Sequence, residues 1–353
     1  MVQIPEKARQ WYLPKKEGID SLAIRTFDVP KPEANQVLVK IHAASLNYRD
    51  IIVTKDEYSN FGGLADNLVP CSDGAGEVVA IGADVTKWAV GDRVIAQIAA
   101  DYKGAGIRIE FLKKALGGSI DGTLTEYQVF PDYGLVKIPD YLSYEEASTL
   151  PCAAITAWNA LHGPVPVKSG DYVLVLGTGG VSIFALQFAV AAGATVIATS
   201  SSNDKLEKVK KLGAQYVINY RETPDWEKEV LKITNGEGVH HVIEVGGAGT
   251  LSKSLSSLTK DGWIHVVGFL GGPEPKDDHD QPLALKILTR HANVRGAIIG
   301  PRLMLEDLAR ACDASKIKPV VDSVYSFDKA VDAYKYLASQ KHVGKVVIRV
   351  ANQ

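Results

Sequence analysis

The residues best suited to chemistry are the glycines of Gly177-Thr178-Gly179-Gly180-Val181, with Ser182 where a third fingerprint glycine would stand. Glycine at 177 permits a tight exit from a strand, and glycine at 179 lets the backbone approach a phosphate with no Cβ in the way. A helix beginning there presents unpaired N–H groups and a partial positive charge to an anion. Glycines alone say little, so the frame around them decides. Val173 to Leu176 is a continuous apolar run, as for a parallel strand buried on both faces. Val181 to Ala192 is too long for a strand and apolar all round, which predicts a buried helix stopped by Gly193. Thr195 to Thr199 then reads as a second strand. Strand, glycine turn, helix and strand within about thirty residues make a dinucleotide site.

The choice of dinucleotide falls to the end of that second strand. Enzymes that use NAD place Asp or Glu there, about 20 residues past the glycines, to accept from the ribose 2′-OH. Here the stretch reads Thr199-Ser200-Ser201-Ser202-Asn203, with no carboxylate before Asp204. Ser200, Ser201 and the Lys205 ammonium are candidates to hold a 2′-phosphate through charge-assisted hydrogen bonds, which favours NADPH. The same residues admit a plainer reading, in which Ser202 or Asn203 caps the next helix and Lys205 is a solvated charge.

The elements that must position this turn follow from the rest of the pattern. A chain of 353 residues with 46% apolar content is long enough for two cores. Up to about 130 the sequence is β-rich: Val37, Val39, Ile41 and Ala43 alternate on one face, and 74–82 and 91–97 are strands bounded by glycine. The irregular stretch 101–121 predicts a surface loop that bears on substrate identity. From about 140, helices and strands alternate. Ser143 and Glu146 form a capping box; 204–212, 226–233, 251–258, 303–313 and 327–339 predict helices. Residues 217–220, 241–245 and 263–267 predict strands, the last two followed by Gly246 and Gly268. Glycine at the carboxyl ends of parallel strands is where ligands lie in an open α/β sheet. A terminal strand, 344–350, is expected to return to the first domain.

Formal charge is −2 with both signs interspersed, which argues against nucleic acid or a membrane surface as the main partner. Cys71, Cys152 and Cys312 match no disulfide framework or metal spacing. No signal-peptide core and no apolar run of about 18 residues is present, so a soluble cytoplasmic protein is expected. The eight histidines offer no site; His240, His241 and His265 flank or sit in predicted strands.

The succession Val90-Gly91-Asp92-Arg93-Val94, Leu150 to Trp158, Val175 to Val181, Lys211-Leu212-Gly213-Ala214 and Gly344-Lys345 resembles the medium-chain dehydrogenase/reductase superfamily over nearly the whole chain. The resemblance implies an α/β fold: a Rossmann doubly wound parallel sheet plus a β-rich GroES-like catalytic domain. It implies a catalytic domain over 1–150, a dinucleotide-binding domain over 151–290 and a C-terminal segment, 291–353, returning to the first. Zinc alcohol dehydrogenases of this superfamily have a ligand cysteine in the first domain and a Gly-His-Glu motif some way on. Here those positions resemble Asn47, in Ser45-Leu46-Asn47-Tyr48-Arg49-Asp50, and Cys71-Ser72-Asp73-Gly74. The lobe of four clustered cysteines is missing too, since 95–125 contain none. The closer resemblance is to the zinc-independent, quinone oxidoreductase-like branch, which implies no metal site.

By that resemblance NADPH delivers hydride to a quinone, an enone or another activated carbonyl compound. Such an acceptor needs positioning and a hydrogen-bond donor at the oxygen where charge develops. Candidate donors are Asn47, Tyr48, Arg49 and Tyr127. Asn47 is preferred, Tyr48 serves either as donor or as packing, and Arg49–Asp50 is expected to form an ion pair or anchor a loop. The resemblance implies Thr156 under the nicotinamide ribose, Gly268-Phe269-Leu270 at the carboxamide and Gly246 near the adenosine. It also implies Tyr220 beside the 2′-phosphate and Lys345 as a phosphate contact. Relatives often dimerise through Rossmann sheet edges, and the apolar stretch 294–299 suits that. Two other functions stay open: a pathway-specific carbonyl reductase or alcohol dehydrogenase, and an NADPH-binding regulatory protein with little turnover.

Overall fold

The computed structural model describes residues 3–58, 63–104, 106–272 and 281–351. It divides into two compact units, one of residues 1–155 with 300–353 and one of 156–299.

The second unit is built on six parallel strands. Their lateral order is Tyr216–Asn219, Thr195–Ser200, Tyr172–Leu176, Val239–Glu244, Leu258–Val266 and Asn293–Gly296. The chain order reverses direction at Tyr172–Leu176, so the crevice beyond its carboxyl end is the switch point where such sheets bind ligands. The apolar runs are there because the central strands are covered on both faces: Val173, Leu174, Val196, Ile197, Val242 and Ile243 are all fully buried. The Gly180–Ala191 helix is apolar all round because it is largely buried, whereas Asn203–Lys211 buries Leu206 and Val209 and leaves Lys208, Lys210 and Lys211 outside. The Trp226–Ile233 helix follows Asp225, which makes no side-chain cap bond, and buries Trp226 and Val230.

Residues 291–299 belong to this unit and do not return to the first. Trp263 to Val266 pairs in parallel with Asn293 to Gly296, which makes that strand the sixth of the sheet, and the return begins at Gly300.

The first unit carries a seven-stranded sheet. Its path runs Val321–Ser326, Lys345–Arg349, Gln36–Leu46, Asp73–Ile81, Arg93–Ala96 and Leu135–Lys137, with Tyr127–Pro131 also paired to Gln36–Leu46. The long strand is buried on both faces: Val37, Val39 and Ile41 enter the main core, while Leu38 packs with Ala8, Val79 and Tyr127. The terminal strand sets Val346 opposite Leu46 in antiparallel pairing. That register brings Lys345 to the end of the strand from which Asn47 emerges. The capping box forms as expected, with Ser143 Oγ accepting from Glu146 N (3.2 Å) and Glu146 Oε2 from Ser143 N (3.0 Å). After it comes the small-residue helix that the sequence pattern predicts from Pro151, with Leu150–Ala154 as a π-helical turn ahead of the Ile155–His162 helix. In the 101–121 stretch, where residue 105 lies outside the described residues, Ile109–Leu112 is one helical turn and Tyr102 stacks on Phe111.

Candidate active site

In the second unit the Tyr172–Leu176 strand leaves through Gly177, whose φ of 72° lies in the left-handed region that favours glycine. Gly177 N donates to Thr199 O (3.0 Å), and Thr178 is buried. Gly179 has an ordinary φ of −74° and caps the twelve-residue helix without a side-chain hydrogen bond. A Cβ added at Gly179 would meet nothing within 4 Å. The protein's own packing therefore does not require glycine there. Open space in front of a helix N-terminus, flanked by the partly exposed Gly180 and Val181, is what a pyrophosphate needs. Ser182 keeps helix and strand close by donating Oγ–H to Leu176 O (2.7 Å). A nicotinamide dinucleotide fits this turn.

At the next strand end, Ser200 is buried and its carbonyl accepts from Tyr220 N (3.0 Å). Ser201 follows, and Ser202 stands at the N-cap position, without a side-chain cap bond, of the helix that carries Lys205 in its first turn. Tyr220 stands 42% exposed just beyond the third strand. Ser200, Ser201 and Tyr220 thus gather at the carboxyl ends of two paired strands. Sequence reasoning missed a carboxylate nearby: Glu222 Oε1 accepts from Asn203 Nδ2 (2.7 Å) and Asn219 Nδ2 (2.9 Å). It follows the third strand and not the second, so no spacing rule pointed to it.

Gly246 and Gly268 are brought together by two backbone bonds: Leu270 N donates to Val245 O (3.0 Å) and Gly271 N to Gly246 O (2.8 Å). Phe269 and Leu270 are exposed. Glu244, fully buried, organises this pair of loops. Its Oε1 accepts from Gly246 N (2.7 Å), Gly247 N (3.0 Å) and Thr250 Oγ1 (2.5 Å), and its Oε2 from Ser254 Oγ. Thr156 is buried and its hydroxyl donates to Ile298 O.

The first unit holds a separate buried polar centre. Asn47 caps the Tyr48–Thr54 helix, and Asp50 Oδ2 accepts from its N–H (2.8 Å). Lys345 Nζ donates to Asn47 Oδ1 (2.5 Å) and Leu46 O (2.6 Å). Lys345 is only 3% exposed, and both of these bonds lie within this unit. Asp73 is buried beside it; burial raises its pKa, and the Lys345 charge opposes that rise. Burial also lifts Asp50 to about 6 against the pull of Arg49. Arg49 lies 3.7 Å from Asp50 Oδ1, donates to Leu116 O (3.0 Å) and covers the Tyr58 ring, so it both pairs and anchors a loop. Cys152, in the π turn, is pushed up to about 12 by burial. Cys71, at a φ of 70°, sets its Sγ 3.3 Å from Tyr334 Oη. Tyr48 is 39% exposed at the helix start. Tyr127 is no candidate donor. It pairs opposite Lys40, seven residues up the strand from Asn47, and packs in the Ala8–Leu38–Val79 cluster.

These residues do not fit zinc. Asn47 offers a neutral amide oxygen already bonded to an ammonium, Ser72 Oγ donates to Asp73 Oδ1 (2.7 Å), and the Lys345 charge would repel a divalent cation. Among the described residues no group of three or more His, Cys, Asp or Glu could hold a metal ion.

Residues 33–140 match the sequence model of the alcohol dehydrogenase GroES-like domain, and 180–314 that of the zinc-binding dehydrogenase. A zinc-type alcohol dehydrogenase-like protein of Schizosaccharomyces pombe is 48% identical over 337 residues, covering 94% of this chain and 96% of that protein. An alcohol dehydrogenase of Geobacillus stearothermophilus is 30% identical over 93% of this chain and 96% of its own. A crystal structure of an NAD-dependent alcohol dehydrogenase superposes with a TM-score of 0.87 at 32% identity, covering 97% of this chain and all of the other. The chain belongs to the zinc-type alcohol dehydrogenase-like medium-chain dehydrogenase/reductase family of oxidoreductases.

Proposed function

We propose that this protein is an NADPH-dependent, zinc-independent oxidoreductase that reduces a quinone, an enone or another activated carbonyl compound. The observation that carries this reading is the Lys345–Asn47 hydrogen bond, an ammonium at the position that resembles the zinc relatives' ligand cysteine. A metal acts on a carbonyl as a Lewis acid; here the polarising group is a hydrogen-bond donor, the Asn47 amide. Bound reduced nicotinamide supplies the hydride. Gly177 to Val181 hold the pyrophosphate, Gly268, Phe269 and Leu270 line the nicotinamide side with Thr156, and Gly246 lies near the adenosine. Ser200, Ser201, Lys205 and Tyr220 meet the 2′-phosphate. Tyr48, exposed beside Asn47, serves as the second polar group toward substrate. The edge strand Asn293–Gly296, next to a helix with Leu285 and Leu288 exposed, supports a homodimer joined through that edge.

NADH is the second reading. Glu222, bonded to Asn203 two residues past Ser201, puts a negative charge near the place where a 2′-phosphate is expected. The similar crystal structure is of an NAD-dependent enzyme. Oxidation of NADPH and NADH, followed in parallel with 9,10-phenanthrenequinone, 3-penten-2-one and hexanal, separates the readings. NADPH-linked turnover of the quinone or enone is expected. A higher kcat/KM with NADH refutes the coenzyme assignment, and reduction of hexanal alone refutes the acceptor class.

A further inference from the structure

Asn47 stands at a helix N-terminus, where an asparagine ordinarily turns its side-chain oxygen back to accept from the first-turn N–H groups. Here the capping box with Asp50 is present, and Asn47 Oδ1 also accepts from Lys345 Nζ. An ammonium has donors only, so the amide oxygen must face it and Nδ2 must face away. Nδ2 is buried without a hydrogen-bond partner, and so are Ser45 Oγ and Asp73 Oδ2 around it. Nδ2 lies near enough to Asp73 to favour that carboxylate's charged form, yet makes no bond of acceptable geometry with it. Buried polar groups are rarely left unpaired, and such a cluster marks a place where a partner is missing.

We infer that Lys345 is a positioning residue: its buried ammonium clamps Asn47 Oδ1 so that Asn47 Nδ2 is the donor presented to the carbonyl oxygen of the substrate. The inference rests on the reductase reading above and assigns the reacting oxygen to one atom of this chain. A charged donor on Oδ1 also polarises the amide and makes its N–H groups stronger donors. The terminal strand thereby has a task at the site. Its register with Gln36–Leu46 delivers the ammonium across 298 residues of sequence to the residue it orients.

The test is a four-protein cycle of wild type, Lys345→Met, Asn47→Ala and the double variant, with Lys345→Arg alongside. NADPH affinity is read by fluorescence quenching and kcat with 9,10-phenanthrenequinone. Loss of the oriented donor is expected to lower kcat about 10- to 100-fold in Lys345→Met, with the NADPH Kd changed less than about threefold and Lys345→Arg recovering part of the loss. In the Asn47→Ala background the same change should alter kcat less than about threefold, because residues that act as one unit are not additive. A weaker NADPH Kd with kcat intact would return Lys345 to phosphate binding, and multiplying effects would mean independent roles; either overturns the inference. Should Lys345→Met fail to fold, Asn47→Asp decides, since it keeps an acceptor for the ammonium and removes the Nδ2 donor. Folded Asn47→Asp with kcat down about 100-fold sustains the inference, and unchanged kcat overturns it. If wild type turns over no acceptor, the reductase reading fails by itself. Urea unfolding of the same cycle then decides the clamp, which stands on coupling between positions 47 and 345 and falls without it.

Discussion

Gly177 and Gly179 are two residues apart, and alanine at each should fail in a different way. At Gly177 the backbone sits at φ 72°, while the nearest atom to an added Cβ, Val245 Cγ2, is at an ordinary 3.8 Å. The cost is therefore conformational and about 1–2 kcal/mol of stability. At Gly179 the φ of −74° suits any residue and the added Cβ meets nothing within 4 Å. Lost chain entropy is spared by about 0.4–1 kcal/mol, and the poorer N-cap costs a similar few tenths to about 1, so net stability should stay within about 0.5 kcal/mol. The added methyl instead enters the space assigned to the pyrophosphate. Overpacking of that kind costs about 1–3 kcal/mol, or roughly a 5- to 150-fold weaker NADPH Kd. Urea unfolding without nucleotide and fluorescence titration with NADPH measure the two effects separately. Wild-type NADPH affinity in Gly179→Ala would refute the placement of the phosphates. A stability loss at Gly179 equal to that at Gly177 would refute the reading of its open surroundings.

Glu244→Ala would orphan the N–H groups of Gly246 and Gly247 and two hydroxyls, and should cost about 3 kcal/mol; urea unfolding checks this, and Glu244→Gln should restore part of it. His241 and His265, with Nδ1 and Nε2 3.2 Å apart, are held down by burial at about 4 and about 3, against 6.5 in the unfolded chain. Below pH 6.5 the unfolded chain takes up protons that the folded chain does not. Their stabilisation is thus complete above pH 6.5 and fades as pH falls toward 4, by about 3 kcal/mol for His241 alone. A His265→Leu variant whose urea midpoint falls as steeply as that of wild type over this range would contradict it. Ser201→Asp should lower NADPH affinity at least tenfold and raise that for NADH, as read by parallel titrations; unchanged NADPH affinity would mean that Ser201 is not at the 2′-phosphate.

What the sequence made legible was local. The glycine turn lies within one strand–helix unit, and each residue's role there depends on neighbours a few positions away, so pattern sufficed. The capping box at Ser143 was readable for the same reason. The polar centre was not, because Lys345 meets Asn47 only through the pairing of the last strand with the third. A Gly-Lys pair near the C-terminus carries no local sign of burial. Tyr127 looked like a possible donor until its pairing opposite Lys40 set it in an apolar cluster. The apolar stretch 294–299 suited a sheet edge, and the pairing of Trp263 with Asn293 makes its first residues the sixth parallel strand, which the division at residue 290 left outside. Glu222 and Glu244 escaped notice because a carboxylate's task depends on which donors converge on it, and those come from other elements.

At the reacting oxygen the proposed group is an amide held in place by an ammonium, not a metal. The decisive measurement is metal content by elemental analysis together with NADPH-dependent reduction of 9,10-phenanthrenequinone, before and after exhaustive treatment with 1,10-phenanthroline and EDTA. Less than about 0.1 equivalent of zinc per chain and an unchanged rate after chelation are expected. Stoichiometric zinc, with activity lost on chelation and restored by added Zn²⁺, would contradict it.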